Sequence, residues 1–170
     1  MKILISLITV MMFSTTVFAA GPVLNINPQK TKAKVGSTVS VDIMAQDLPV
    51  SEGGGVTLRF DPSVVQVTGV SVNTAQWNFA SSPGVIDNTK GEVSDIWVSS
   101  FSGVSGNAKI ATVNLQAIKR GKSPLRLQES ALNPFASAGN RLSVSFVNGS
   151  LAWRENRKSP LADMPRVLLT

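Results

Sequence analysis

The chain has 170 residues, no Cys, His or Tyr, and a formal charge of +6 from 16 basic and 10 acidic residues. Without an imidazole or a thiol, Ser-His-Asp and Cys-His nucleophile systems are excluded, as are His- and Cys-based zinc or copper sites. With no disulfide available, an exported form of this chain depends on packing alone for its stability.

The first element in chain order is an export signal. Lys2 supplies a positive start, Ile3 to Phe13 is almost wholly apolar, and Val17 and Ala19 are small residues suited to cleavage after Ala19. The apolar stretch is short for a membrane span, and Gly21-Pro22 follows at once. The expected layout is a signal peptide over residues 1–19, one domain over 20–153 and a flexible tail over 154–170, where alternation stops and Pro160 and Pro165 appear. The mature chain is expected in the periplasm or outside the cell, with no insertion into a membrane after cleavage.

The body reads as strands and turns. Val39, Val41, Ile43 and Ala45 alternate with Ser40, Asp42 and Met44; Val56, Leu58 and Phe60 alternate with Thr57 and Arg59. The same period of two recurs in Ala111, Val113, Leu115 and Ala117, and in Leu142, Val144 and Phe146, with a last strand over Gly149 to Trp153. Turn residues separate these runs, among them Asp61-Pro62, Lys90-Gly91, Arg120-Gly121-Lys122 and Asn148-Gly149. No stretch carries a helical apolar period. The pattern predicts an all-β fold of two antiparallel sheets packed face to face.

The segments follow the order of a known family. "VGSTVSVDIMAQDLP", "GGVTLRFDPSVVQVTGV", "SSFSGVSGNAKIATVNLQAIKRGKSPLRL" and "VNGSL" together resemble a cohesin domain, within the wider group of cohesin and carbohydrate-binding β-sandwiches. "FDPSVVQV" at Phe60 to Val67 is the most specific piece. The resemblance implies a nine-stranded jelly-roll sandwich with no catalytic role and no cofactor. It implies a dockerin-like protein partner, in assemblies that degrade polysaccharide. The family tends to carry polar residues on the approach to the "FDP" strand. Here that approach is Gly53-Gly54-Gly55, which offers a partner no side chains.

Glu92 to Phe101 is the place to look for a site. If Ile96 and Val98 face inward, Asp95, Trp97 and Ser99 face outward and form a candidate ligand-binding group. The competing phase puts Trp97 inside with Val93 and Phe101. Trp77 and Phe79, read as one face of a further strand, either belong to the core or extend an aromatic platform towards Trp97. Trp153 is read as sealing the end of the sandwich.

An enzyme would have to use carboxylates. Asp87, Glu92 and Asp95 are close in sequence, but Glu92 and Asp95 fall on opposite faces of a regular strand, which disfavours a catalytic pair. Asp87, Asn88 and Glu92 are read as a turn-forming cluster, with a structural calcium as the alternative.

Basic residues cluster at Lys30, Lys32 and Lys34, at Lys119, Arg120 and Lys122, and at Arg154, Arg157 and Lys158. They admit two readings, attraction to an acidic polymer or membrane surface, or a solvated surface whose edge lysines discourage strand pairing between molecules. None carries the interleaved aromatics of a nucleic-acid site. Three functions follow as expectations: a protein-interaction module of cohesin type, a module that binds polysaccharide directly, and a structural surface or matrix protein.

Overall fold

A computed structural model describes residues 21–153. The expected signal at 1–19 and the expected tail at 154–170 lie outside the described residues. Twelve strand segments follow one another: β1 (Val23–Asn27), β2 (Lys30–Ala33), β3 (Thr38–Arg59), β4 (Val65–Val72), β5 (Ala80–Ser82), β6 (Val85–Asp87), β7 (Glu92–Ala117), β8 (Lys122–Glu129), β9 (Ala136–Ser137), β10 (Asn140–Arg141), β11 (Ser145–Val147) and β12 (Gly149–Trp153). No helix occurs among the described residues.

The fold is an all-β sandwich built around one long antiparallel pair. β3 and β7 run side by side from Thr38↔Gln116 to Arg59↔Glu92, with register shifts along the way. Those shifts bend the pair, so that its two halves belong to different layers. In the back layer, residues 38–46 and 108–116 are flanked by β1 and β4, and β11 adds in parallel to β1. In the front layer, residues 53–59 and 92–99 are flanked by β8 on one side and by β5 and β6 on the other. β12 pairs with β8, and β2 closes that edge in parallel with β12.

The alternation read from the sequence is what fills the space between the layers. Val41, Ile43 and Ala45 face Val56, Leu58, Ile96 and Val98 in one continuous core, joined by Ala111, Val113 and Leu115. The sequence run at Leu142 to Phe146 is only half-buried, and strand pairing begins at Ser145.

The Asp61-Pro62 turn has the role its residue types imply. The Asp61 carboxylate accepts the Ser63 N–H (2.9 Å) and the Ser63 hydroxyl (2.7 Å), while the Asp61 carbonyl takes the N–H groups of Val64 and Val65. This closes the turn and launches β4. Asn88 completes the other side of β4: its amide exchanges both bonds with the Val67 backbone, at 2.8 and 3.0 Å, as a neighbouring strand would. Asp87 accepts the N–H groups of Thr89 and Lys90, so both side chains serve the turn.

The three glycines have a structural reason that lies some 80 residues further along the chain. The loop after β8 folds back over β3, giving Gly55 N–H to Asn133 O (2.7 Å) and Ser130 N–H to Gly55 O (2.9 Å). It drops the fully buried Phe135 ring onto Gly54, where any Cβ would fall inside the ring's contact radius. A Cβ at 55 would meet the Trp97 Cβ at 2.9 Å.

Two outcomes are expected. Gly54→Ala should destabilise the fold by about 1–3 kcal/mol through overpacking, and Phe135→Ala by about 3–5 kcal/mol through the cavity it leaves. In urea unfolding, the pair should be strongly non-additive, because removing the ring frees the space that the added methyl needs. Asp61 generates a pH dependence. The Ser63 hydroxyl, then the Ser63 N–H, hold its carboxyl below the usual range against a smaller opposing desolvation, with Lys119 assisting. A depressed folded value means that this stabilisation is complete above the unfolded value and is lost as pH falls through the folded one. Asp61→Ala should therefore be less stable than the parent near neutrality, and the two unfolding curves should converge in strong acid.

Candidate binding site

β7 decides which side chains reach the front surface. Leu58 pairs with Val93 and Val56 with Ile96, so Thr57 alone opposes both Ser94 and Asp95. The extra residue makes a β-bulge at Asp95, whose φ is 56°. Asp is among the few side chains that tolerate this left-handed region. The bulge breaks the alternation, so Val93, Ile96 and Val98 all point into the core while Trp97, Ser99 and Phe101 face out. Neither single phase read from the sequence is sufficient.

The bulge also aims the Asp95 carboxylate at the covering loop. It accepts the Ser130 hydroxyl at 2.5 Å and the Asn133 amide at 2.8 Å. Glu129 holds the loop's far end by accepting the Phe135 N–H at 3.1 Å and pairing with Arg141. Ser51, fully buried, donates to Ala136 O at 2.7 Å and tethers β9 to β3. The loop therefore forms a fixed wall beside Trp97.

Between wall and strand lies a shallow depression of about 280 Å³, lined in part by Glu52, Trp97, Ser99, Leu132 and Asn133. Glu52 accepts the Ala138 N–H at 2.7 Å through one oxygen; the other is enclosed and has no partner among the described residues. At the strand end, Phe79 and Phe101 pack with ring centroids 3.9 Å apart and planes tilted by 52°. They remain 56% and 81% exposed, with Val50 and Leu132 as further exposed apolar side chains. The back layer's outer surface is different in kind. There Ser40 bonds Asn114 (2.7 Å), Thr112 bonds Asp42 (2.6 Å) and Lys109 pairs with Asp42 (3.7 Å), so its polar groups satisfy one another.

No family model and no curated protein sequence matches the chain. Solved structures do. A non-cellulosomal cohesin from the hyperthermophilic archaeon Archaeoglobus fulgidus is similar with a TM-score of 0.67 at 17% identity, over 80% of this chain and 93% of that one. The seventh ScaB type I cohesin from Pseudobacteroides cellulosolvens gives 0.63 at 17%, over 81% and 95%. A cohesin–dockerin complex from Clostridium thermocellum gives 0.64 at 12%, over 79% of this chain and all of the matched one. The chain has the cohesin fold. At these identities the likeness is one of architecture, and the surface residues are this chain's own.

On this cohesin fold the four residues expected to bind a ligand separate. Trp97 and Ser99 stand together on the front surface, as read, with the Ser99 hydroxyl donating to Ala80 O at 2.9 Å. Asp95 sits beside them, but its carboxylate is committed to the loop. Trp77 is corrected: it is 1% exposed and belongs to the core. Residues 73–77 form a turn and not a strand, closed by Trp77 N–H to Asn73 O at 3.1 Å, and the indole N–H donates to Lys109 O at 3.0 Å. The turn breaks the parity that would have paired Trp77 with Phe79, leaving one inside and the other outside. Trp153 ends β12 half-buried, with the Arg120 guanidinium 4.5 Å from the centre of its ring. The Phe79–Phe101 pair has no signature as a surface feature in the sequence, where Phe101 shares the parity of Val93 and reads as its core partner.

Asp95→Ala should detach the loop wall. It removes two hydrogen bonds and leaves a non-glycine, non-Asx residue in a left-handed conformation, at a cost of about 1–3 kcal/mol. Limited proteolysis should then cut within residues 131–134 at protease levels that leave the parent intact.

Proposed function

We propose that this protein is a non-catalytic, exported interaction module that receives a dockerin-like protein partner on the front surface around Trp97 and Phe101. The observation that carries the reading is the exposed Phe79–Phe101 pair beside Ser99 of the Trp97 depression: Phe101 follows two residues along β7, and the Phe79 N–H donates to Ser99 O at 3.1 Å. A soluble domain gains nothing by exposing two contacting phenyl rings, and buried aromatic anchors supply much of the energy of protein interfaces. The cohesin fold supports the reading, because cohesins of this architecture occur in complexes with dockerins. An export signal at residues 1–19 would put the module where such assemblies work.

Direct binding of a neutral polysaccharide surface has less support. It needs coplanar aromatics, and here Trp77 is internal while the two phenyl rings are tilted by 52°. Catalysis has less support, because Asp95 is engaged by the loop and Asp61 and Asp87 by their turns, which leaves Glu52 without a second available carboxylate beside it among the described residues.

A pull-down with the mature protein against the exported proteins of its own cell tests the proposal. One partner should be retained by the parent and by a back-layer variant such as Thr112→Ala. Phe101→Ala should weaken it by about 2 kcal/mol, roughly 30-fold, and Trp97→Ala comparably. Retention on neutral glycans with no protein partner, or equal capture by Phe101→Ala, would contradict it.

A further inference from the structure

Two basic clusters that are far apart in the sequence meet on one surface. β2 lies parallel to β12, and β12 is antiparallel to β8, which puts Lys32, Ala152 and Lys122 in one cross-strand row. Lys30, Ser150 and Pro124 form the next row. Further along β8, Arg126 stands directly opposite Arg59 of β3. Thr31, Leu151, Ser123 and Leu125 of the same strands point to the core side, so all five cations share the outer surface of the front layer. They lie at the end of that layer opposite Phe101. With strands about 4.8 Å apart and a rise of about 3.3 Å per residue, Lys32 and Lys122 are about 10 Å apart at the backbone, and Lys122 and Arg126 about 13 Å.

Of the five, Arg59 alone has an acidic partner among the described residues, Glu92 at 2.6 Å. Asp61 borders the shallow depression between Arg59 and Arg126, but its carboxylate is engaged by Ser63. Protection against edge pairing accounts for Lys30 and Lys32, because β2 is an edge strand. It does not account for Lys122 and Arg126, which lie on the interior strand that joins β12, over Lys122–Leu125, to β3, over Arg126–Glu129. Opposing two arginines across a strand pair is unfavourable for the fold itself, so the arrangement points outward to a ligand.

We propose that this track binds an acidic polysaccharide, by its repeated carboxylates. A linear polyanion with regularly spaced charges matches cations set in rows along paired strands. A lipid surface is a poorer match. Binding there gains from inserted apolar side chains, and the track's own outward positions on β2, β12 and β8 are Lys30, Lys32, Ser150, Ala152, Lys122, Pro124, Arg126 and Gln128, with no large apolar residue. The site is separate from the Phe101 surface and does not rest on the protein-partner reading.

Polygalacturonate is the probe, with dextran as the neutral control and phosphatidylglycerol vesicles as the lipid control. Co-sedimentation and calorimetry at low salt should show binding to polygalacturonate alone, fading as salt rises through the range where exposed charges are screened. Lys32→Glu/Lys122→Glu should weaken it about tenfold or more, while the charge-matched Lys90→Glu/Lys109→Glu and the remote Phe101→Ala should leave it nearly unchanged. Equal losses in both double variants would mean that net charge and not the track binds, and would overturn the proposal. So would binding to the vesicles in preference to polygalacturonate, or no binding to polygalacturonate at all.

Discussion

The β3–β7 pair is the constraint from which the rest of the molecule follows. It runs through both layers, so its register determines at once which residues meet in the core and which reach each outer surface. A slip of one residue would invert every side chain along it. The bulge at Asp95 makes such a slip locally, and the covering loop locks it through Ser130 and Asn133. The lock holds Trp97 outward between the inward Ile96 and Val98.

This arrangement divides the exterior by chemistry. The back layer presents a polar ladder whose members bond one another, as a surface meant for water does. The front layer presents two kinds of unsatisfied group. At one end are exposed phenyl rings beside a half-buried indole; at the other are five cations of which, among the described residues, Arg59 alone has an acidic partner. The exposed phenyl pair and the basic track lie on the same sheet, so both proposed binding surfaces fall on the front layer. The back layer and the single core hold it rigid.

Much of the scaffold could be read from residues alone. Period-two alternation identified the inward residues Val41, Ile43, Ala45, Val56, Leu58, Ala111, Val113 and Leu115, because bulges in the ladder left each of these on the core side. The Asp61 turn was legible because its chemistry is local. Elements that depend on distant partners were not. Nothing near Gly54 reveals that Phe135 will occupy the space above it. The bulge was hidden because an Asp at positive φ reads like any Asp, and it turned two competing phases of β7 into a mixture of both. Trp77 and Phe79 were misread as one strand face because the Asn73 turn leaves no apolar signature. The basic clusters were visible one by one, but their convergence required the parallel docking of β2 on β12.

The central claim is that a partner docks on the front layer at the Trp97–Phe101 end. Hydrogen–deuterium exchange with and without the captured partner tests it most directly. New protection is expected in residues 79–82, 97–101 and 132–136, with the back-layer segments 38–46 and 108–116 unchanged. Protection confined to the back layer, with exchange around Phe101 unaltered, would contradict it.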